Sequence, residues 1–317
     1  MVGGSVLEMC LLYNRSIMML TRLRPAVQKW LLSFTDVRLV FLQAWLVYFL
    51  ISLFGGSPLR SSETNYFNYL ADAFLHGQLY LRLIPNSTHD LVFFQNQIYL
   101  YWPPFPALVL MPFVLVFGVG VSDVLITTLI GALNVAGVSL LLKAAAQRGI
   151  IHLSETQQAW LTIFFAFGTV HMTLAPHGNI WFTSQLIGMG MVLLTYLAAL
   201  KLTGWKAYLA AGACIAAAMS TRYPLILAGI WPAWYLLNNT RKDQPGKLVR
   251  NILVGLLPLL LAGGLIGWYN YSRFGNPFDY GYAYHNMGQL FRADYEQYGP
   301  FNLHYLPINF YYQYLYY

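Results

Sequence analysis

The stretch LVFLQAWLVYFLISLF, residues 39–54, contains no charged residue and decides the class of fold. It approaches the roughly 20 apolar residues that an α-helix needs to cross a bilayer. The whole chain of 317 residues is 58% hydrophobic and only 9% charged, whereas a soluble domain has roughly 25% charged residues. We therefore predict an all-α integral membrane protein with about seven transmembrane helices, at residues 39–54, 121–142, 158–176, 181–200, 207–220, 223–237 and 251–270.

These spans divide the chain into three parts. Residues 1–38 form a cytoplasmic and partly interfacial N-terminal segment, and residues 39–270 form the transmembrane module, which includes an outer loop at 55–120. Residues 271–317 are rich in tyrosine, which favours the headgroup region, so we expect a segment on the outer surface. The chain ends on tyrosines without a closing span, and we expect this segment to begin a C-terminal part of a longer protein.

Lys and Arg are unevenly distributed between the two sides that this topology defines. With the N-terminus inside, thirteen of the 18 fall in inner segments, as the positive-inside rule requires of cytoplasmic loops. The net charge of +7 then reflects contact with anionic lipid, and we expect no nucleic-acid partner. Most acids and histidines fall outside. We therefore expect a multi-pass protein of a bacterial plasma membrane whose active side is the outer one.

One further apolar stretch, residues 102–120, tests this topology. If it crossed the membrane, every later loop would change sides and the charge asymmetry would vanish. It also contains four prolines, Pro103, Pro104, Pro106 and Pro112, which interrupt helices. We therefore interpret it as a juxtamembrane or re-entrant helix, with a full span as the alternative.

The outer loop contains its own predicted structure. Residues 65–77 place Tyr66, Phe67 and Leu70 on one helical face and polar residues on the other, as in an interfacial amphipathic helix. Residues 79–83 and 91–101 alternate in polarity, which favours a strand pair around a turn at 85–87. We thus expect a folded outer loop with juxtamembrane helices.

Four short motifs in this arrangement are similar to those of one known superfamily. Ser62-Glu63-Thr64-Asn65-Tyr66 resembles D-E-x-R-Y at the start of the first outer loop, and residues 99–104 resemble Y-x-x-K-P-P at its end. Met219-Ser220-Thr221-Arg222 is similar to an M-T-K turn, and residues 269–278 also match. The family is the GT-C glycosyltransferases that use polyprenyl-phosphate sugars, in particular the protein O-mannosyltransferase and aminoarabinose-transferase-like group.

The resemblance implies a GT-C-like module that transfers a sugar from a polyprenyl-phosphate donor to an unidentified acceptor at the outer face, with inversion at the anomeric carbon. It implies no cofactor and no metal, with membrane lipid and the lipid-linked sugar as partners. Three positions depart from the pattern: the first acid falls on Ser62, the arginine on Asn65 and the lysine on Trp102. Either a redrawn site replaces these groups, or the chain is catalytically silent.

Transfer from a sugar phosphate needs a base for the acceptor hydroxyl and cations for the leaving phosphate. Glu63 follows the first span at a helix start, and we predict it as the base, with Asp72 as the second choice. Arg222, between two short spans, and Arg60 are the predicted donor-phosphate ligands. We expect the cavity to be lined further by Asp90, His171, His177 and Trp181.

Two other functions remain open on the sequence. A non-catalytic membrane subunit of the same fold would explain the departures at Ser62, Asn65 and Trp102. A transporter or flippase of lipid-linked substrates would place ionisable groups near the membrane midplane, whereas the charges here avoid the centres of the spans.

Overall fold

The computed structural model describes residues 25–55, 58–243, 245–299 and 302–316. Helices dominate these residues, which confirms the all-α prediction. The exception is one antiparallel hairpin of β1 (Val92–Phe94) and β2 (Gln97–Tyr99). In chain order the α-helices are α1 (25–33), α2 (Val37–Gly55), α3 (Tyr66–Leu75), α4 (Phe105–Phe117), α5 (Asp123–Gln147), α6 (Glu155–Phe167), α7 (His171–Leu174), α8 (Ile180–Lys201), α9 (Gly204–Met219), α10 (Ile230–Asp243), α11 (Leu248–Phe274), α12 (Gln289–Tyr298) and α13 (Tyr305–Phe310).

Four helices of the described chain are long and apolar enough to cross a membrane: α2, α5, α8 and α11, the last together with the short 3₁₀ turn before it. They coincide with the predicted spans at 39–54, 121–142, 181–200 and 251–270. Their lengths of 19 to 30 residues suit a hydrocarbon core of about 30 Å. The structure thus supports a multi-pass membrane protein.

The other three predicted spans are shorter or broken helices. In the segment 158–176, α6 ends at Phe167 and α7 begins only at His171. Gly168 caps α6, and a Cβ there would lie 2.7 Å from the Phe164 ring. In the segment 223–237, the chain first forms a 3₁₀ helix at Tyr223–Gly229 with a proline in its first turn, before α10.

Small residues let neighbouring helices of the bundle approach closely. A Cβ on Gly212 of α9 would lie 2.1 Å from the carbonyl oxygen of Gly255 in α11. A Cβ on Gly131 of α5 would lie 2.5 Å from that of Ala175. Such contacts are typical of helix packing in membranes, where close backbone approach replaces hydrophobic burial as the driving force.

The stretch 102–120 forms α4, whose 13 residues extend for about 20 Å. This is shorter than the roughly 30 Å hydrocarbon core. Leu110 and Val114 pack into a buried cluster with Tyr66 and Phe67 of α3. The packing against the outer loop agrees with a juxtamembrane helix, and its position relative to the membrane remains a prediction.

The outer helix α3 corrects the expectation of an interfacial helix with a solvated polar face. Asn68 is fully buried and donates to the carbonyl oxygens of Val119 and Val121, at 3.0 and 2.8 Å. Asn65 is also buried and donates to Val119 at 3.2 Å. Its polar face is buried because these side-chain amides satisfy carbonyl groups of the loop before α5.

The predicted strand pair around residues 85–87 is wrong in position. Both strands lie within the second segment, 91–101, and the turn is Gln95-Asn96. These two residues have φ values of 49° and 61°, as a two-residue type I′ hairpin turn requires. Residues 79–83 form no strand, although Leu81 donates a backbone hydrogen bond to Ile98 at 2.8 Å.

The segment 271–317 is also more than a surface-lying tail. Its first part packs on the hairpin, where His285 forms a β-bridge with Val92 and Asn286 donates to the carbonyl of Leu91 at 2.9 Å. Phe274 lies in a buried cluster with Val92 and Tyr99. The later helices α12 and α13 are largely exposed where the structure describes their side chains.

Candidate functional site

Arg222 lies in the turn between α9 and the 3₁₀ helix, and its side chain is half-buried. Its guanidinium carbon lies 4.7 Å from the centre of the Trp102 ring, within cation–π range. Its Nε donates to Oγ of Ser184 at 3.3 Å. Burial lowers the pKa of Arg222, although a guanidinium remains charged in proteins. The structure thus places a cation on the ring of Trp102.

Asp90 follows the outer-loop turn and precedes β1. Its Oδ2 accepts a hydrogen bond from Nε1 of Trp181 at 3.1 Å, and its Oδ1 lies 3.1 Å from Nε2 of His285. Burial favours the neutral acid, but the hydrogen bond from His285 and the nearby His89 outweigh it, so the pKa of Asp90 lies below its usual value. The residue has a φ of 64°, a left-handed conformation that is rare outside glycine and frequent at functional sites.

Helix α8 connects these two charged groups. Trp181, which binds Asp90, and Ser184, which binds Arg222, are three residues apart. Side chains at this spacing lie on the same face of a helix, about 5–6 Å apart at Cβ. The carboxylate and the guanidinium are therefore both anchored to the start of α8, through side chains one turn apart.

Aromatic rings surround the same place. The Tyr101 ring lies 4.9 Å from the His285 ring and 5.5 Å from that of Trp102, and the Tyr282 ring stacks on His285 at 5.3 Å. Burial, followed by the negative charge of Asp90, raises the pKa of Tyr101, so its hydroxyl is protonated at neutral pH. We call Asp90, Tyr101, Trp102, Trp181, Arg222 and His285 together the outer site.

Arg273, at the end of α11, fixes the segment that contains Tyr101 and Trp102. Arg273 is only 4% exposed, and its Nη1 donates to the carbonyl of Leu100 at 2.7 Å. Its Nη2 donates to Oδ1 of Asn270 at 2.8 Å, and Asn270 in turn lies near the Tyr223 side chain. Leu100 and Tyr223 are chain neighbours of outer-site residues. Arg273 and Asn270 therefore link the two segments that carry Trp102 and Arg222.

Ser62, at the position of the first acid in the motif that this segment resembles, is bound to a carboxylate from elsewhere in the chain. Its backbone N–H donates to Oδ1 of Asp123 at 2.7 Å, and its Oγ donates to Oδ2 at 2.6 Å. Asp123 begins α5 and is 2% exposed. Its carboxylate thus anchors the start of the outer loop to α5, and it offers little surface to a substrate.

The structure does not bring the other predicted polar residues of the outer loop into the outer site. Glu63 and Arg60 are exposed and form no side-chain hydrogen bond or ion pair with the described residues. Asp72 is buried and paired with Arg82, whose Nε lies 3.1 Å from Oδ2. The Asp72 carboxylate is therefore already paired with the side chain of Arg82.

The two predicted cavity histidines lie apart from each other. His171 is buried, and its Nδ1 lies 3.0 Å from the hydroxyl of Tyr48 in α2. His177 is exposed, with Nδ1 2.8 Å from the carbonyl of Thr173. Of the four predicted cavity residues, the structure brings only Asp90 and Trp181 into direct contact.

Sequence reasoning missed Ser184, Tyr101, His285 and the linking residue Arg273. Tyr101 lies inside a quoted motif, and Arg273 inside another, so the motifs marked the right segments without assigning these side chains. His285 is separated from Asp90 by 195 positions, and no local pattern indicates that contact.

No group of three or more His, Cys, Asp or Glu residues that could hold a metal ion occurs among the described residues. Comparison with family models, curated proteins and solved structures finds no match to this chain. The chemistry of the site is therefore the basis for a function.

Proposed function

We propose that the protein is a membrane glycosyltransferase that transfers a sugar from a polyprenyl-phosphate donor to an acceptor hydroxyl at the outer face. One observation carries the proposal: the Asp90 carboxylate and the Arg222 guanidinium are both hydrogen-bonded to the start of α8, through Trp181 and Ser184. The reaction needs these two charges, a base at the acceptor and a cation at the leaving phosphate.

In this proposal Arg222 binds the donor phosphate. Arginine recognises phosphate through charge-assisted hydrogen bonds, and only the Nε of Arg222 has a described hydrogen-bond partner. The ring of Trp102 holds the guanidinium plane. The cation that the resembled pattern has at this position, and that this chain lacks at Trp102, is thus supplied from the turn after α9.

Asp90 is the carboxylate that we assign to the acceptor. Its pKa below the usual value keeps it ionised at neutral pH, and the hydrogen bonds from Trp181 and His285 fix its direction. The acceptor oxygen bonds to the anomeric carbon while the bond from that carbon to the phosphate oxygen breaks. The acceptor proton goes to the base, and the electron pair leaves on the polyprenyl phosphate.

Aromatic side chains suit the sugar itself. Tyr101, Trp102 and Tyr282 give the site flat apolar faces, and Nε1 of Trp102 is buried without a partner among the described residues. Sugars combine apolar ring faces with hydroxyl groups, and a site of this composition can contact both. Glu63 stays a predicted base, and the geometry favours Asp90 over it.

The test is a transfer assay on membranes that contain the full chain, with a panel of labelled polyprenyl-phosphate sugars. Transfer by the wild-type protein that needs a higher donor concentration in Arg222→Gln supports the proposal. Donor binding without transfer for every sugar and acceptor would instead indicate a non-catalytic subunit. Movement of the intact lipid-linked sugar between leaflets, without transfer, would indicate a flippase.

The proposed orientation, with a cytoplasmic N-terminus and an outer active side, has a separate test. Cysteines introduced at Asn86 and Lys242 should react with membrane-impermeant reagents from opposite sides. Reaction of both from the same side would contradict the proposed topology.

A further inference from the structure

A polar pocket lies at the far end of the bundle from the outer site. Along α8, Trp181 and Ala199 are separated by about 27 Å at 1.5 Å per residue, and Ala199 borders the pocket. The pocket has a volume of about 370 Å³, which is within the range of ligand sites. It is lined by polar side chains from α9, α10 and α11 and from the ends of α5 and α8, including Arg148, Thr203, Tyr208, Asn239, Thr240 and Asn251.

Asn251 gives the pocket a buried donor with no partner. The residue is 0% exposed, and its Oδ1 accepts from Nη2 of Arg250 at 3.3 Å. Its Nδ2 has no hydrogen-bond partner among the described residues. An unpaired buried amide is unfavourable, so it marks a place where a ligand acceptor would be stabilised.

Arg148 adds a cation to the same pocket. Its Nε donates to the carbonyl of Leu200 at 2.7 Å, which fixes the guanidinium at the pocket and leaves its Nη groups without a described partner. None of the described residues that line the pocket is acidic. The adjoining chain adds further cations, at Lys201, Lys206, Arg241 and Arg250. The pocket therefore favours an anion.

An apolar cleft continues from this pocket along the bundle. It has a volume of about 320 Å³ and lies between α9, α10, α11 and the 3₁₀ helix. Tyr208 and Leu236 border both spaces. The cleft is lined mainly by aliphatic side chains, among them Ile215, Ile230, Leu237, Leu256 and Leu259. A polar, cationic pocket joined to an apolar cleft is complementary to a lipid, which has an anionic headgroup and an apolar chain.

We propose that this pocket and cleft bind one anionic phospholipid, with its phosphate beside Arg148 and Asn251 and an acyl chain in the cleft between α10 and the packed pair of α9 and α11. Basic pockets between transmembrane helices are known to hold anionic headgroups. The proposal is independent of sugar transfer, because the pocket and the outer site lie at opposite ends of α8. The lipid would brace α10 and α11 against α8.

Native mass spectrometry of the full chain in mild detergent tests the proposal. Phosphatidylglycerol should bind with a defined stoichiometry and raise the melting temperature, and phosphatidylcholine with the same acyl chains should do neither. Glycerol phosphate and inorganic phosphate, which carry the anion without a chain, serve as the second comparison. Equal binding of both lipids would overturn the proposal, and so would stabilisation by inorganic phosphate to the level of the lipid.

Variants locate the site. Arg148→Gln should weaken phosphatidylglycerol binding about five-fold, because a cation near an anionic headgroup contributes that much. Arg148→Lys should restore part of it, and Asn251→Leu should weaken binding without any change of charge. Lys143→Gln, which removes an exposed cation from the same helix outside the pocket, is the matched control. Loss of binding in Lys143→Gln equal to that in Arg148→Gln would show general surface attraction and overturn the assignment.

Discussion

The guanidinium of Arg222 stacks on the Trp102 ring at 4.7 Å. The motif that residues 99–104 resemble has a lysine where Trp102 stands here, and the cation on this ring comes from a different segment of the chain. Nearby, Phe105 donates a backbone hydrogen bond to the carbonyl of Ser220 at 3.0 Å. This bond holds the segment after Trp102 against the turn that carries Arg222, so the stacking rests on backbone contacts.

Arg222→Gln should raise the donor concentration needed for half-maximal transfer about ten-fold or more, because a charge-assisted hydrogen bond to phosphate contributes about 1.5–3 kcal/mol. Arg222→Lys should retain part of the donor binding, because lysine binds phosphate as a point charge. The measurement is the donor dependence of transfer, normalised to folded protein. An unchanged donor dependence with a lower protein yield would show that Arg222 only anchors the turn.

Asp90→Asn should lower the rate of transfer about 10²–10⁴-fold, the usual contribution of a general base. Glu63→Gln and Asp72→Asn are matched controls, since each neutralises an outer-loop carboxylate outside the outer site. Both controls should stay within a few-fold of wild type. A large loss in Glu63→Gln with normal activity in Asp90→Asn would return the base assignment to Glu63.

The stability of the protein should depend on pH through Asp90. Its pKa is lower in the folded protein than the ordinary value of 3.8, so its ionised form contributes stability above that value. The contribution is lost as the pH falls through the folded-state pKa. The melting temperature of wild type should exceed that of Asp90→Asn at pH 7, and the difference should shrink as the pH falls below 3.8. A constant difference over this range would contradict the hydrogen-bonded carboxylate.

Arg273→Met should raise the donor concentration needed for half-maximal transfer. The reason is that Arg273 and Asn270 link the segments of Trp102 and Arg222, so their loss should displace Arg222. In a double-mutant cycle, the ten-fold effect expected of Arg222→Gln should shrink in the Arg273→Met background. Hydrogen exchange should rise together at residues 99–105 and 220–226, with α5 unchanged. Arg38→Met, which removes an exposed cation, is the control. Fully additive effects on donor dependence would contradict the link.

Asp72→Asn should reduce stability without a large effect on transfer. The Asp72–Arg82 pair has two side-chain hydrogen bonds, of 3.1 and 3.2 Å, but Arg82 is 38% exposed. A partly exposed pair of this kind contributes at most about 1 kcal/mol. Thermal unfolding of the purified protein measures the loss, and Arg82→Gln should give a similar one.

The sequence predicted the helical class and located the four long apolar helices, because hydrophobic length determines both. It failed where tertiary contacts override local pattern. The amphipathic pattern of α3 placed Asn68 on the polar face of an interfacial helix, yet the loop before α5 supplies buried carbonyl groups for this amide. The alternation at 79–83 predicted a strand, whereas the turn at Gln95-Asn96 determines the pairing.

The site was predictable only in part, for a similar reason. Arg222, Asp90 and Trp181 were identified from position and residue type. Their grouping depends on the spacing of Trp181 and Ser184 along α8, and on side chains that arrive from distant segments. His285 and Arg273 belong to a stretch that composition alone assigned to the membrane surface.

The bridge between Val92 and His285 also determines when the outer site can form during synthesis. Asp90 and His285 are 195 positions apart, and ribosomes add about 5–20 residues per second. Synthesis of Asp90 therefore precedes that of its imidazole partner by about 10–40 s. The contact can form only after α11 has been made and the chain has returned to the hairpin. A chaperone or protease that samples the protein before then meets an outer loop with an unpaired carboxylate and an incomplete aromatic cluster.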